Sequence, residues 1–265
     1  MTAKLPSVSA FFPAYNDAPS LSTLIERTFA VLSASAGEFE VIVVNDGSTD
    51  GTAEVLRELQ LRFGPRLRVV EHAQNRGYGA PLRTGLEAAR YDFVFYTDAD
   101  GQYDVRELPL LIILMRDGVG LVNGYKLTRH DPWHRICIGW LYNRFARALF
   151  GIALRDIDCD FRLIRRGVLQ SLDLRSDTGS ICVELVRGIE LSGCGVVEVG
   201  VHHHPRLHGR SQFFCLHSLL RTTRQLLDLY WRLMLLPRID RLRMYRHGHG
   251  PTAANCCGSA RTGRR

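Results

Sequence analysis

Apolar and polar positions alternate regularly along the first half of the chain. Short apolar runs rich in β-branched and aromatic residues end at polar clusters, and the stretches between them carry apolar residues at helical spacing, as at Leu21, Leu24 and Ile25. Strands are predicted at 8–12, 40–44, 67–71 and 92–97, and helices at 19–34, 51–62 and 79–89. This alternation predicts a doubly wound α/β fold, a Rossmann-like and mostly parallel sheet with helices on both faces.

The second half of the chain is less regular. Helices are predicted at 107–115, 136–150 and 178–191, strands near 120–123 and at 195–202, and a basic loop at 126–135. A last helix at 213–236 has one apolar and one Arg-rich face. We therefore expect an α/β domain over residues 1–211, a C-terminal amphipathic helical extension over 212–244, and a disordered tail over 245–265.

The composition is that of a globular protein: 265 residues, 46% of them hydrophobic and 23% charged. No apolar stretch approaches the roughly 18 to 20 residues that cross a bilayer, and the first residues lack the apolar segment and cleavage site of a signal peptide. The 7 cysteines never occur in C-x-x-C spacing, so reduced thiols are expected rather than disulfides or a zinc site. These features predict a cytoplasmic protein.

The net charge of +7 is concentrated at the C-terminal end, where residues 201–265 hold 12 Arg against Asp228 and Asp240. Nucleic acid and an anionic membrane surface both attract such a segment. No RNA-binding motif or metal finger accompanies it, so no nucleic acid is expected as a partner. The first predicted strand is not followed by a G-x-G-x-x-G or P-loop motif, which argues against a dinucleotide-binding dehydrogenase and a P-loop NTPase.

Polar groups stand at the ends of three neighbouring predicted strands. Asp98 and Asp100 follow the fourth strand and could both reach Mg²⁺ or Mn²⁺, which take oxygen ligands and often share substrate phosphates. The alternative is an acidic turn that only caps the next helix. Asp46 follows the second strand and Tyr15 the first. A carboxylate able to accept from a base N–H, beside an aromatic face, indicates a slot for a nucleotide base.

Five motifs resemble those of a known family. In order they are Pro13-Ala-Tyr-Asn-Asp, Val44-Asn-Asp-Gly-Ser-Thr-Asp50, Gln74-Asn-Arg-Gly-Tyr-Gly-Ala80, Thr97-Asp-Ala-Asp-Gly-Gln-Tyr103 and Asp158-Cys-Asp-Phe-Arg162. Together they resemble family 2 inverting glycosyltransferases, which have the GT-A fold. The most similar subgroup is the polyprenyl-phosphate sugar synthases of the dolichol-phosphate mannosyltransferase type. The resemblance runs from about residue 7 to residue 212.

The resemblance implies a donor site. Asp98, Asp100 and Gln102 would bind the Mg²⁺ or Mn²⁺ that bridges the donor diphosphate, and the two carboxylates would count among the catalytic residues. The family often has Glu at the position of Asn16. The residues that would contact the nucleotide sugar are Pro13, Tyr15, Asn16, Asp46, Arg76, Arg206 and Arg210.

The resemblance also implies an acceptor side. A lipid monophosphate is an anion at pH 7, so its attack on the sugar C1 needs alignment and cationic groups more than a strong base. Arg129 and Arg135 match basic positions of the family and would clamp that phosphate. Asp158 and Asp160 would lie near the reaction centre, and Arg162 would pair with one of them.

The implied reaction is transfer of a hexose, either mannose from GDP-mannose or glucose from UDP-glucose, to a polyprenyl phosphate with inversion. The chain would work at the cytoplasmic, inner face of a membrane, in peripheral contact with it. The C-terminal helix would either lie on anionic lipid or pack on its own domain. If the acceptor were a soluble hydroxyl compound, Asp158 or Asp160 would be the first candidate base. A non-catalytic nucleotide-sugar binding protein is a third hypothesis, against which the intact acidic residues count.

Overall fold

Seven strands form one sheet in the computed structural model, which describes residues 4–128, 133–206 and 216–235. The strands are β1 (Leu5–Ala14), β2 (Ala36–Asn45), β3 (Leu67–Glu71), β4 (Phe93–Thr97), β5 (Val119–Lys126), β6 (Phe161–Arg165) and β7 (Gly195–Val201). Their order across the sheet is β3-β2-β1-β4-β6-β5-β7. Neighbours pair in parallel except β6, which runs antiparallel to both β4 and β5.

Helices connect the strands and cover the sheet. They are α1 (Ala18–Ser35), α2 (Thr52–Phe63), α3 (Gly79–Ala88), α4 (Leu108–Leu114), α5 (Trp133–Phe150), α6 (Arg166–Leu169), α7 (Ser180–Leu191) and α8 (Leu216–Tyr230). Short 3-10 turns stand at Gly64–Arg66 and Val105–Glu107, and a π-helical turn at Trp231–Leu235 follows α8. The predicted α/β fold with a mostly parallel sheet is confirmed, and the first four strands lie where the apolar runs predicted them.

The sheet is buried on both faces, and the residues of β1 alternate between two apolar cores. Val8 and Phe12 pack into a core with α1, α2 and α4, whereas Phe11 packs into the core formed with α3, α5, α7 and α8. Such strands have continuous apolar sequences because neither face of the sheet is exposed to solvent. Each fully buried side chain of this kind stabilises the fold by about 1.5 to 3 kcal/mol.

Strand β6 was missing from the sequence prediction. It has Arg at its second and last positions among apolar residues, and Arg162 lies in register with Tyr96 on β4 and Asn123 on β5. The side chain of Arg162 is completely buried at this central position. A charged residue in a central strand contradicts the usual apolar pattern, so the sequence pattern predicted no strand at this place.

The described part of the C-terminal helix packs on the domain. Leu226 and Leu229 of α8 are buried against the core, whereas Leu227, which the sequence placed on the apolar face, is 62% exposed. The predicted domain boundary at residue 211 and the predicted tail at 245–265 lie outside the described residues. Within the described residues, no helix has the length and apolar character needed to cross a membrane.

Candidate active site

The turns after β1 and β4 lie side by side at the edge of the sheet where these parallel strands end. The backbone N–H of Ala99 donates to the carbonyl of Pro13 over 3.3 Å. The hydroxyl of Ser20 donates to the carbonyl of Asp17 over 2.9 Å and also to that of Ala99. These contacts bring Asp17, at the start of α1, to the same edge as Asp98 and Asp100, so three acidic residues lie at this edge.

A single guanidinium accompanies these carboxylates. The Nη2 atom of Arg206 lies 2.9 Å from Oδ2 of Asp100 and 3.9 Å from Oδ1 of Asp17. The other oxygen of Asp100 accepts from the backbone N–H of Gln102 over 2.9 Å. Arg206, predicted to contact the donor, therefore stands directly at the predicted metal ligands. Asp17 was not predicted, although it directly follows the Tyr15–Asn16 pair.

The pKa values of the three carboxyl groups are raised. Burial raises the pKa of Asp17 to about 6, and burial together with Asp160 and Asp100 raises the pKa of Asp98 well above its usual range. Burial also raises the pKa of Asp100, against the opposing effect of Arg206. An excess of negative charge held out of water favours the uptake of a cation.

The oxygen donors fit a divalent metal that is only partly held by protein. Two carboxylates and an amide oxygen suit Mg²⁺ or Mn²⁺, which usually keep water ligands and share substrate phosphates. In the described ranges, no three His, Cys, Asp or Glu side chains are grouped so as to hold a metal ion. A metal at Asp98 and Asp100 would therefore complete its coordination with water and substrate oxygens.

Gln102 connects the acidic turn to the segment that follows β7. Its side-chain Nε2 donates to the carbonyl of His204 over 3.2 Å, and the N–H of His204 donates back to the carbonyl of Gln102 over 2.8 Å. Tyr103 and His203 form an antiparallel bridge beside them. This pairing holds the chain that carries Arg206 against the turn that carries Asp100.

The carboxylate of Asp46, the residue predicted to contact the base, is buried and accepts hydrogen bonds from protein groups. Its carboxylate accepts from Nδ1 of His72 over 2.6 Å and from the backbone N–H of Arg76 over 3.1 and 3.2 Å. The Nε2 atom of His72 lies 3.0 Å from the hydroxyl of Thr84. Arg76 thus reaches this site through its main chain. His72 and Thr84 were not predicted, because neither belongs to one of the five motifs.

Asn16 joins the ends of β1 and β2. It is the one non-glycine residue of the described chain with a positive φ, at 58°, a conformation that Asn adopts more readily than most residues. Its Oδ1 accepts from the N–H of Thr49 over 2.8 Å, and its own N–H donates to the hydroxyl of Ser48 over 3.0 Å. Together with Pro13 and Tyr15 it forms the rim beside Asp46.

The loop at 74–79 lies between the end of β2 and the segment before α7. A Cβ atom on Gly47, whose φ is 68°, would lie 2.5 Å from the carbonyl carbon of Gln74. On the other side, the N–H of Gly79 donates to the carbonyl of Asp177 over 2.9 Å. Glycine at both positions lets the three segments approach backbone to backbone.

The acidic segment before β6 is anchored by α5. The amide of Asn143 donates to Oδ2 of Asp158 over 2.8 Å and accepts from the N–H of Ile157, also over 2.8 Å. Burial and the neighbouring Asp156 raise the pKa of Asp158 to about 7. The Nζ of Lys126, at the end of β5, donates to the carbonyl of Asp158 over 2.9 Å. Lys126 was not among the predicted site residues.

Asp160 and Arg162 do not form the predicted ion pair. The carboxylate of Asp160 lies 3.5 Å from the Sγ of Cys182. The guanidinium of Arg162 donates instead to Oδ1 of Asn123 over 2.7 Å, to the hydroxyl of Tyr96 over 2.6 Å and to the carbonyl of Ile157. The prediction that Arg162 pairs with Asp158 or Asp160 was wrong, because the register of β6 places this side chain directly beside Tyr96 of β4 and Asn123 of β5.

Three predicted site residues cannot be located. Arg129 and Arg210 lie outside the described residues, and so does the side chain of Arg135, whose backbone belongs to α5. The structure brings the remaining predicted residues into two groups at one edge of the sheet. The larger group comprises Pro13, Tyr15, Asn16, Asp46, Arg76, Asp98, Asp100, Gln102 and Arg206, and the smaller group comprises Asp158 and Asp160.

Comparison with known proteins gives matches over most of the chain. A family model described as "Glycosyl transferase family 2" matches residues 9–173. An undecaprenyl-phosphate 4-deoxy-4-formamido-L-arabinose transferase of Aeromonas hydrophila is 29% identical over 210 residues, 79% of this chain and 64% of the relative. A dodecaprenyl-phosphate galacturonate synthase of Rhizobium johnstonii is 30% identical over 224 residues, 84% of this chain and 65% of the relative. The chain thus spans less than two thirds of the length of these relatives.

Solved structures share the fold. Glucosyl-3-phosphoglycerate synthase from Mycobacterium tuberculosis, in complex with Mn²⁺, UDP and phosphoglyceric acid, superimposes with a TM-score of 0.65 at 20% identity, over 86% of this chain and 78% of that one. The same enzyme with Mg²⁺ and UDP gives a TM-score of 0.63 at 20% identity, over 86% and 79%. At this identity the likeness concerns the fold alone, and it confirms the predicted GT-A architecture.

Proposed function

The chain belongs to glycosyl transferase family 2, and we propose that it transfers a sugar from a nucleotide diphosphate sugar to a polyprenyl phosphate, with inversion at the sugar C1. The observation that supports binding of the nucleotide sugar donor is the group of carboxylates at the ends of β1 and β4, with Arg206 beside them. The acceptor half is supported by the relatives, two of which are named for prenyl phosphates.

In this proposal Asp98 and Asp100 hold Mg²⁺ or Mn²⁺, with the amide oxygen of Gln102 as a further ligand. When bound, the ion would neutralise charge on the diphosphate as it leaves. Arg206 is the second cation at this place, and its planar guanidinium suits a phosphate. Arg210, nearby in the sequence, was predicted to join it.

The nucleoside would lie at the rim formed by Pro13, Tyr15 and Asn16, with Asp46 as the acceptor for a base N–H. An ionised carboxylate offers about four lone-pair sites, and the donors of His72 and Arg76 use at most three of them. Asp46 can therefore still accept one further hydrogen bond. His72 would fix the orientation of this carboxylate.

On the acceptor side, the phosphate oxygen itself is the nucleophile, and protein groups need only align it and offset its charge. Arg129 and Arg135 remain the proposed phosphate clamp. Asp158 and Asp160 would order the site. The hydrogen bond from Asn143 fits a carboxyl group that is held in place.

One observation favours the second candidate function, transfer to a soluble hydroxyl acceptor. A carboxyl group with a pKa of about 7, as at Asp158, is suited to remove a proton from a hydroxyl near neutral pH. The two candidates differ in the phase that receives the sugar, because a glycosylated prenyl phosphate extracts into organic solvent and a glycosylated saccharide does not.

The sugar stays a prediction. Mannose from GDP-mannose and glucose from UDP-glucose were expected, but the relatives are named for a formamido-arabinose and for galacturonate. The donor panel should therefore include UDP-galacturonate beside the two expected donors. The proposed location is the cytoplasmic face of the inner membrane, in peripheral contact with the lipid that carries the acceptor, and no nucleic acid takes part.

The experiment that tests this proposal measures radiolabelled sugar transferred into an organic-extractable product. Each donor is incubated with the chain, undecaprenyl phosphate in detergent, and Mg²⁺ or Mn²⁺, with EDTA as the metal-free control. We expect metal-dependent lipid label that Asp100→Ala lowers at least about 100-fold. Asp173→Ala, which breaks an exposed ion pair with Arg175 away from the site, should leave the label unchanged.

Other outcomes would redirect the assignment. Slow hydrolysis of a donor without lipid label would favour the soluble hydroxyl acceptor. If no donor is bound or turned over, the donor assignment fails and a binding or scaffold role replaces it. Circular dichroism of the Asp100→Ala protein separates lost chemistry from lost folding.

A further inference from the structure

Helix α5 carries large apolar side chains on its solvent side. Five of them are between 43% and 78% exposed, including two of the three tryptophans of the chain. We call this surface the outer face of α5, and its members are Trp133, Ile138, Trp140, Leu141 and Phe145.

The opposite side of the same helix is apolar too. Ala146 and Phe150 are buried in the core shared with α7 and α8. A helix on the surface of a globular protein normally has one apolar face and one polar face. Because α5 has two apolar faces and, among the described residues, only one of them is covered by the domain, the outer face is suited to a binding partner.

The charges on this helix identify the chemistry of that partner. Residues 133–150 include no Asp or Glu, and the exposed charged side chains described on α5 are those of Arg144 and Arg147. The guanidinium of Arg144 stands 5.8 Å from the ring centre of Trp140. Tryptophan and arginine share a preference for the boundary between apolar chains and polar headgroups, where an apolar body and a polar tip are both satisfied.

We infer that the outer face of α5 binds the anionic surface of a lipid bilayer. Apolar side chains between arginines, without any carboxylate, are the composition of a helix that lies in the plane of the headgroups. The anionic bilayer satisfies the arginines and the tryptophans together.

The position of α5 gives this binding a role at the site. Asn143, on the inner side of the same helix, holds Asp158 and the backbone of Ile157. A helix is about 10 Å across with its side chains, so the lipid surface would lie roughly one helix diameter from the acidic segment. This step rests on the proposed function, in which a membrane-embedded prenyl phosphate must bring its headgroup to that segment. The membrane binding itself does not depend on it.

Helix α8, the other candidate for membrane contact, is engaged by its own domain. Arg221 of α8 pairs with Asp177 over 2.6 Å, and Arg232, in the π-helical turn that follows α8, pairs with Glu184 over 2.7 Å. The amide oxygen of Gln225 accepts from the N–H of Thr178 over 3.2 Å. The described part of α8 therefore contacts the segment before α7. We assign the membrane contact to α5 instead.

Vesicle binding tests the inference on the full 265-residue chain. Co-sedimentation with vesicles of phosphatidylglycerol and phosphatidylcholine is compared for Leu141→Glu and Leu227→Glu. The two leucines are 63% and 62% exposed, on α5 and α8 respectively, so both changes add one carboxylate at equal exposure. We expect at least tenfold weaker binding for Leu141→Glu and unchanged binding for Leu227→Glu.

The tryptophans supply a second readout. Vesicles that contain brominated lipid quench the fluorescence of tryptophans at the bilayer surface. Trp231→Phe leaves only Trp133 and Trp140 and should keep the quenching, whereas the double variant Trp133→Phe/Trp140→Phe leaves only Trp231 and should lose it. Trp231 is 53% exposed, so exposure alone would not produce this difference.

Several outcomes overturn the inference. It fails if wild type does not bind anionic vesicles, if Leu141→Glu binds as well as wild type, or if Trp231 alone is quenched. A change in oligomeric state of Leu141→Glu by size exclusion, without a change in vesicle binding, would assign the face to a second copy of the chain. Transfer to a short, water-soluble prenyl phosphate without vesicles should be the same for Leu141→Glu and wild type. If wild type shows no transfer at all, the proposed function fails while the vesicle result still stands.

Discussion

The guanidinium of Arg206 lies 2.9 Å from Oδ2 of Asp100, the second carboxylate of the turn that follows β4. The main chain of Gln102 supports this pair at both residues. Its N–H donates to the carboxylate of Asp100, and its carbonyl accepts from the N–H of His204, two residues before Arg206. Arg206 therefore supplies, at a proposed metal ligand, the positive charge that a metal would supply. A guanidinium and a cation that share one carboxylate oxygen compete for it.

The first prediction concerns this competition. Arg206→Gln should bind Mn²⁺ more tightly than wild type in the absence of nucleotide, by roughly tenfold, because the competing charge is lost. The same variant should bind UDP or GDP with Mn²⁺ more weakly, since the diphosphate loses a cationic partner. Electron paramagnetic resonance of free Mn²⁺ and calorimetry with the nucleotide measure the two effects, with wild type and variant compared at the same pH.

Arg62→Gln is the matched control, because Arg62 pairs with Glu26 on the exposed surface away from the site. This variant should change neither the affinity for Mn²⁺ nor the affinity for the nucleotide. Unchanged or weaker Mn²⁺ binding by Arg206→Gln would contradict the competition.

The second prediction concerns the stability of the fold as a function of pH. The folded state raises the pKa of Asp158 from 3.8 to about 7, through burial and Asp156, against the lowering effect of Lys126. A raised acid pKa stabilises the fold fully below pH 4, and this stabilisation is lost as the pH rises through 7. Between pH 4 and pH 8, wild type should lose roughly 2 to 4 kcal/mol of unfolding free energy relative to Asp158→Asn.

Urea unfolding of the two proteins at a series of pH values measures this difference, and contributions from other groups cancel in it. Asparagine can still accept the hydrogen bond from Asn143. A difference that stays constant over the whole pH range would show that Asp158 is not perturbed.

The third prediction compares two glycines with left-handed backbones. Gly47 and Gly118 have φ of 68° and 80°, so alanine at either position costs about 1 to 2 kcal/mol of conformational strain. A Cβ at Gly47 would also meet the backbone of Gln74 and Asn75 within 2.6 Å, whereas nothing lies within 4 Å of one at Gly118. Gly47→Ala should therefore displace the 74–79 loop and raise the KM for the sugar donor, and Gly118→Ala should not.

Unfolding free energies and KM values of both variants check this comparison. Equal effects on KM would mean that contact between the 74–79 loop and the end of β2 does not shape the donor site.

The fourth prediction concerns the buried charge of Arg162. Its three hydrogen bonds reach Tyr96, Asn123 and Ile157. Arg162→Met leaves these three buried acceptors without their donor and should lower the unfolding free energy by about 3 to 5 kcal/mol, since each unsatisfied buried group costs about 1 to 3 kcal/mol. Tyr96→Phe removes one of the bonds and should cost about 1 kcal/mol. Chemical denaturation measures both, and an Arg162→Met protein as stable as wild type would contradict a structural role for this side chain.

The local pattern of apolar and polar residues was sufficient to predict the first four strands and the acidic turn after β4. Their apolar runs are continuous because both faces of the sheet are buried, and their ends are marked by polar residues within a few positions. The motifs that predicted the donor site lie at those ends. Sequence therefore indicated the fold class, the family resemblance and most of the donor residues.

Three features depended on contacts between distant parts of the chain. Asp17 meets Asp98 only because β1 pairs with β4, and His72 meets Asp46 only because β2 pairs with β3. Strand β6 was not predicted because Arg162, its second residue, is made compatible with burial by partners 66 and 39 residues away. No local pattern contains such partners.

The sequence by itself determined the elements of this protein and the chemistry of its acidic turns, since both follow from residues within a few positions of one another. Only the tertiary structure decided which charges meet, with Arg206 at Asp100, and which apolar faces are covered. Helix α5 is apolar on both sides, so its periodicity could not distinguish the side that packs on the sheet from the outer face. That distinction arises from what the rest of the chain covers, and burial is a property of the whole fold rather than of a segment.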